Sequence, residues 1–162
     1  MDKGSTVIDA GVVDFAMSYR KEIMNDQGLC LQVYSKIGDK DTEILRFDCF
    51  DQAPHYHYGP ENHNIRLHND KTTMGGSSLG WTLNQIRNNL PEMVRRSGYE
   101  DLATSLETTP VGKSTLAELE SVSRTMAQEG RRTVHHMMPE MVDGDKLEVG
   151  NLKFGLDYRH LP

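Results

Sequence analysis

The chain reads as α+β: an antiparallel meander of four to five strands followed by two to four helices packed on one face of the sheet. Three observations predict it. From Val13 to about residue 70 apolar and polar residues alternate with a period of two, turn chemistry separates the alternating runs, and the apolar period lengthens to three and four after Thr73. A chain of 162 residues can bury a core of its own without staples, so one domain is expected over 1–162. Within it, 1–72 is mainly β, 73–130 mainly helical and 131–162 mixed.

In the first run Val13, Phe15, Met17 and Tyr19 alternate with Asp14, Ala16, Ser18 and Arg20, the pattern of a strand with one buried face. Asn25-Asp26-Gln27-Gly28 reads as a turn into a second strand, Leu29 to Tyr34, and Gly38-Asp39-Lys40-Asp41 as a turn into a third, Ile44 to Phe50. Two shorter strands, His55 to Tyr58 and Asn64 to His68, are joined through Gly59-Pro60.

Leu79, Leu83, Ile86 and Leu90 form the stripe of an amphipathic helix capped by Ser77 or Ser78. Pro91 either kinks that helix or opens a second one, capped by Asn88 or Asn89 and ending at Gly98. A helical turn is expected around Tyr99 to Leu106. Thr115 and Glu118 have capping-box spacing for a helix to about Gly130, with Leu116, Leu119 and Val122 on one face. Beyond it, Leu147-Glu148-Val149 and Leu152-Lys153-Phe154 read as short strands. Trp81 lies beside the stripe, where it can anchor the helix to the sheet or a partner.

The formal charge of −6 includes no basic block, which excludes a general nucleic-acid-binding surface. No apolar run is long enough to span a bilayer, and Met1-Asp2-Lys3-Gly4 lacks the apolar stretch of a signal peptide. Cys30 and Cys49 sit in alternating apolar runs, where reduced thiols are the rule and where the two could face one another across the meander; a cytoplasmic protein is expected. His135-His136 with Met137, Met138 and Met141 reads as packing, because adjacent histidines do not share a face. Self-association or a protein partner is expected.

Four of the seven histidines, His55, His57, His63 and His68, fall within fourteen positions. Imidazole both ligates metals and titrates near neutrality, so chemistry concentrates here. Strand alternation puts His55 and His57 on one side and Tyr56 and Tyr58 on the other. If the strands pair in order, one sheet face gathers Arg46, Asp48, His55, His57, Arg66 and His68. Three readings follow. The leading one is a ligand- or partner-binding polar face, with the histidines and arginines solvated. In the second, His55, His57 and Glu61 or His68 hold a divalent metal, the candidate cofactor, for a hydrolase or oxygenase. In the third, a histidine and Arg46 or Arg66 perform metal-free acid–base chemistry, as in a ribonuclease-like toxin.

Two resemblances bear on this. His55-Tyr56-His57-Tyr58-Gly59-Pro60-Glu61 resembles the first half of the cupin metal motif, although Cys49 stands where a flanking glycine would; the likeness implies metal ligation by His55, His57 and Glu61. The order of Arg46-Phe47-Asp48, Pro54-His55-Tyr56-His57-Tyr58 and Leu90-Pro91-Glu92-Met93 is similar to that in a family of small uncharacterised bacterial proteins, which implies a bacterial single-domain protein and no particular activity.

Overall fold

In a computed structural model that describes residues 4–143, six strands form one antiparallel sheet in sequence order. They are β1 (Thr6–Asp9), β2 (Asp14–Ile23), β3 (Asp26–Ile37), β4 (Lys40–Phe50), β5 (His55–Tyr58) and β6 (Ile65–His68). A short turn of helix, α1 (Lys71–Met74), leads into α2 (Ser78–Arg96), α3 (Glu100–Thr108) and α4 (Lys113–Asp143). The α+β class is thus observed, with one strand more than the upper expectation. The strand that the pattern leaves out is β1, in which only Ile8 is buried and no alternation shows.

One face of the sheet carries Phe15, Met17, Leu29, Leu31, Val33, Leu45, Phe47 and Tyr58, all buried. Helix α2 lies on β4 and β5, and α4 lies on β2 and β3. Leu83, Ile86, Leu90, Met93 and Val94 are the buried side of α2, in keeping with its stripe. Trp81 packs against Phe47 and Tyr56, with ring centroids 6.4 and 5.0 Å away, so it anchors the helix to the sheet. Arg96 stacks over the Tyr58 ring at 4.8 Å on the same side.

The helix boundaries resolve the alternatives. Ser77 is the N-cap of α2, its side chain accepting from the Gly80 N–H, and the helix runs through Pro91 as one piece. Asn88 and Asn89 are not caps: they bond Asn84 and Gln85 one turn earlier. Gly98, at a φ of 100°, ends the helical path where other residues would be strained. Helix α4 starts at Lys113, two residues before the expected cap, and continues past Gly130. That glycine is a packing device: a Cβ there would stand 2.3 Å from the Tyr19 ring of β2.

The β2–β3 turn also differs from expectation. The left-handed residues are Met24 and Asn25, and β3 already begins at Asp26. The Asp26 carboxylate accepts from the backbone N–H groups of Gln27, Gln52 and Ala53, so turn-forming chemistry serves to fix the loop after β4. The expected strands around residues 147–154 lie outside the described residues, as do the side chains of His135 and His136. No helix among the described residues is long and apolar enough to cross a membrane.

Candidate metal centre

Strand register builds the polar face. Gln32, Arg46, His57 and Arg66 are opposed in one row across β3 to β6, and Cys30, Asp48, His55 and His68 in the next. This face is not solvated at its centre: Asp48 is 2% exposed, His57 8% and His55 9%. The expectation of solvent-facing imidazoles is corrected here: the two rings pack edge-on against each other, His55 packs against Phe50, and both are held by the loop residues Ala53 and Asn64. Only the edge strand β6 leaves Arg66 and His68 exposed.

Within this face Asp48, His55 and His57 form a group whose ligating atoms all lie within 4.8 Å of one another. His55 Nε2 is 3.0 Å and His57 Nε2 3.5 Å from the same oxygen, Asp48 Oδ2. The far side of each ring is held as well. His55 Nδ1 is 2.8 Å from the carbonyl oxygen of Ala53, and His57 Nδ1 is 2.8 Å from Asn64 Oδ1. A carbonyl oxygen only accepts, so Nδ1 of His55 carries the proton, and a neutral ring then turns a lone pair on Nε2 toward the carboxylate. The Asn64 contact does the same for His57.

Both holding groups come from loops the fold pins down. Ala53 is set by the bond from its N–H to Asp26. Asn64 takes a left-handed φ of 46° at the end of the β5–β6 turn, with its N–H bonded to the Gly59 carbonyl. The same turn is tied to the end of α2 through Asn62, which donates to the Ser97 carbonyl at 2.7 Å.

Lone pairs on two nitrogens facing one carboxylate oxygen repel unless a cation lies among them, whether a proton or a metal ion. Burial works to raise the Asp48 pKa, but hydrogen bonds from His55 and His57, made when Nε2 carries a proton, outweigh it and hold the carboxyl well below its usual range. The bond to Asp48 raises His55, against the opposing effect of burial. Asp48 Oδ1 is buried with no hydrogen-bond partner among the described residues; Arg20 Nη1 stands 3.9 Å from it.

The other sequence candidates fall elsewhere. Glu61, the third residue of the cupin-like spacing, is outside the group: one carboxylate oxygen is 3.0 Å from Lys40 Nζ, and the other accepts from the Glu43 N–H. His68 faces His55 with ring centroids 6.0 Å apart but does not join the ligating set. His63 lies beside Gly98 at the end of α2. Arg46 is occupied by Glu43, whose carboxylate it meets at 2.8 and 3.1 Å. Gln32 donates to that same carboxylate at 2.8 Å. The two cysteines do not face one another. Cys30 opposes Asp48 on the polar side, whereas Cys49 opposes Leu29 one position later and contacts Thr82 of α2. Burial pushes the Cys49 thiol up to about 11 and raises Cys30 further, so both are neutral thiols.

The helix side has a concavity of its own, a cavity of about 390 Å³ whose walls include Tyr19, Cys49, Phe50, Met74, Ser77 and Arg131. None of the three clustered side chains lines it.

A family model described as a domain of unknown function, DUF7700, matches residues 7–123. The chain belongs to the DUF7700 family. The matched span covers all of the sheet but Thr6, with α2 and α3, so the Asp48–His55–His57 group lies inside the DUF7700 domain. No curated protein and no solved structure gives a significant match.

Proposed function

We propose that this DUF7700 domain is a mononuclear metal protein in which Asp48 Oδ2, His55 Nε2 and His57 Nε2 hold a divalent cation. The observation that carries the reading is the pair of imidazoles with both Nδ1 atoms engaged by oxygen acceptors and both Nε2 atoms turned on one carboxylate oxygen. Metal-bound histidines are oriented in this way by partners on the far nitrogen. Ligands about 2.0–2.2 Å from a metal stand about 3 to 3.5 Å from one another at tetrahedral or octahedral angles; the two distances from the imidazoles to Asp48 Oδ2, 3.0 and 3.5 Å, match this, and all three ligating atoms lie within 4.8 Å.

Three protein ligands leave coordination positions for water and substrate, the mark of catalytic rather than structural sites. Two histidines with one carboxylate serve both zinc hydrolases and non-haem iron oxygenases. The domain is therefore read as a metal-dependent hydrolase or oxygenase, and the identity of the ion separates the two. The ligand-binding polar face and this centre are one place. Asp48 takes the part that the sequence reading gave to Glu61.

The test is elemental analysis of protein purified without chelator or an affinity-tag metal, beside the His55→Ala/His57→Ala double variant. Near-stoichiometric zinc or iron that is lost in the variant supports the proposal and names the chemistry. Metal-free protein that also takes up no Zn²⁺, Fe²⁺ or Mn²⁺ on incubation contradicts it and leaves a protonated His55–Asp48 pair.

A further inference from the structure

The metal centre has a cation beside it that the rest of the face does not neutralise. Three arginines surround the group. Arg46 is met by both oxygens of Glu43, and Arg20 stands 3.9 Å from Asp48. Arg66 differs from both. It is exposed, and among the described residues no carboxylate pairs with it. Its place is fixed by register, directly opposite His57 on the edge strand. Directly opposed residues hold their Cβ atoms about 4.5–5.5 Å apart on the same side of a sheet, so Arg66 rises from the polar face beside His57, with a side chain long enough to approach the group.

A divalent ion neutralised by one aspartate, with an unpaired guanidinium alongside, gives this spot a net positive charge in a chain of net charge −6. Carboxylates inside the fold have not filled it. A guanidinium presents forked N–H groups that match two oxygens of one anion, and a metal with open positions takes a third or shares one. We propose that the ligand of this site carries an oxyanion group, carboxylate or phosphate, which completes the coordination of the metal while Arg66 grips it from β6. The proposal rests on the metal reading above and adds the ligand class and the residue that selects it.

The test uses the full chain loaded with Co²⁺, whose visible bands report the coordination sphere. Cobalt affinity is measured first, for the wild type, Arg66→Ala and Arg66→Lys. Sodium acetate and inorganic phosphate are then titrated in at constant ionic strength. Cobalt should bind all three proteins, and Arg66→Ala no more weakly than the wild type, because Arg66 is not a ligand and its charge repels the ion. Acetate or phosphate should shift the bands of the wild type saturably, at least about tenfold more weakly in Arg66→Ala, with partial recovery in Arg66→Lys. The anion that responds identifies the carboxylate or the phosphate class. Normal cobalt loading with no response to either anion, or a response indifferent to Arg66, overturns this proposal alone. Failure of cobalt to bind the wild type, seen before any anion is added, overturns the metal reading and this proposal with it.

Discussion

The two faces of one sheet are made by the same strands and do opposite things. On the helix side, Phe47, Tyr56 and Tyr58 meet Trp81 and Arg96 in a packed aromatic layer. One residue along in each strand, Arg46, Asp48, His55 and His57 gather charge and lone pairs at comparable burial. The first arrangement gains free energy from removing apolar area from water. The second gives some of that up, since buried polar groups contribute little net stability even when paired and cost several kcal/mol when not. A sheet that holds the Asp48 carboxylate at 2% exposure between two imidazoles is carrying a cost that a cation bound at Oδ2 would offset.

Substitutions on the two faces should therefore separate stability from metal affinity. The largest loss of stability is expected on the helix side. Phe47→Ala should cost about 3–5 kcal/mol, and Leu83→Ala about 2–5 kcal/mol, by denaturant unfolding. The Leu83 variant should still bind one metal ion, because it lies behind the sheet. A near-neutral Leu83→Ala would break the contrast from the helix side.

On the polar face the readout moves to the metal. Asn64→Ala frees the His57 ring and should weaken Zn²⁺ binding about 10–100-fold, as loss of an outer-shell partner does, with Asn64→Asp restoring it. Equal affinity in all three would mean that the Nδ1 contact does not orient the ring.

Metal-free protein should show its own pH profile. His55 binds its proton more tightly folded than unfolded, so its contribution is present below its ordinary value of 6.5 and is lost as pH rises through the raised folded value. Asp48 is the reverse: its contribution is present above its ordinary value of 3.8 and is lost as pH falls. The chelator-treated protein should thus be most stable between about pH 4 and 6.5, and its thermal midpoint should drop on going to pH 9. Saturating Zn²⁺ should flatten the alkaline side of that profile, because the metal replaces the proton. A midpoint that falls equally with and without Zn²⁺ would assign the pH effect to other groups.

The smallest effect is expected at Glu61. Its links to Lys40 and the Glu43 N–H sit at the rim, so Glu61→Gln should change stability by no more than about 1 kcal/mol and leave metal stoichiometry intact. Loss of metal in that variant would return the cupin-like ligand set to consideration.

Much of this architecture is legible in the residue pattern, for definite reasons. Alternation sets Tyr56 and Tyr58 against His55 and His57, and a meander in sequence order gathers Arg46, Asp48, His55 and His57 on one face. The Leu83, Ile86 and Leu90 stripe announces α2 in the same way. The register that opposes Asp48 to His55 and Arg46 to His57 is seen only in the structure. Tertiary contacts decide what the pattern does not carry. Thr6–Asp9 becomes a strand because β2 offers an edge, and Asp26 leaves its turn role because three backbone N–H groups converge on it. Gly130 marks a close contact with Tyr19 rather than a helix end. The bonds that the two rings donate to Ala53 and Asn64 end on loops, whose geometry no periodicity encodes. The spacing of His55, His57 and Glu61 is a local signal, and the sheet overrides it by supplying Asp48 from the neighbouring strand.

The central claim concerns which nitrogen of each ring faces the cation, and long-range ¹H–¹⁵N correlation spectra of the imidazoles report it directly. On addition of one equivalent of Zn²⁺ to chelator-stripped protein, the Nε2 resonances of His55 and His57 should move to ligated values together. Both Nδ1 atoms should remain protonated, and His63 should stay unchanged. Movement at Nδ1, or no movement in either ring with Zn²⁺ present in excess, would contradict the metal centre described here.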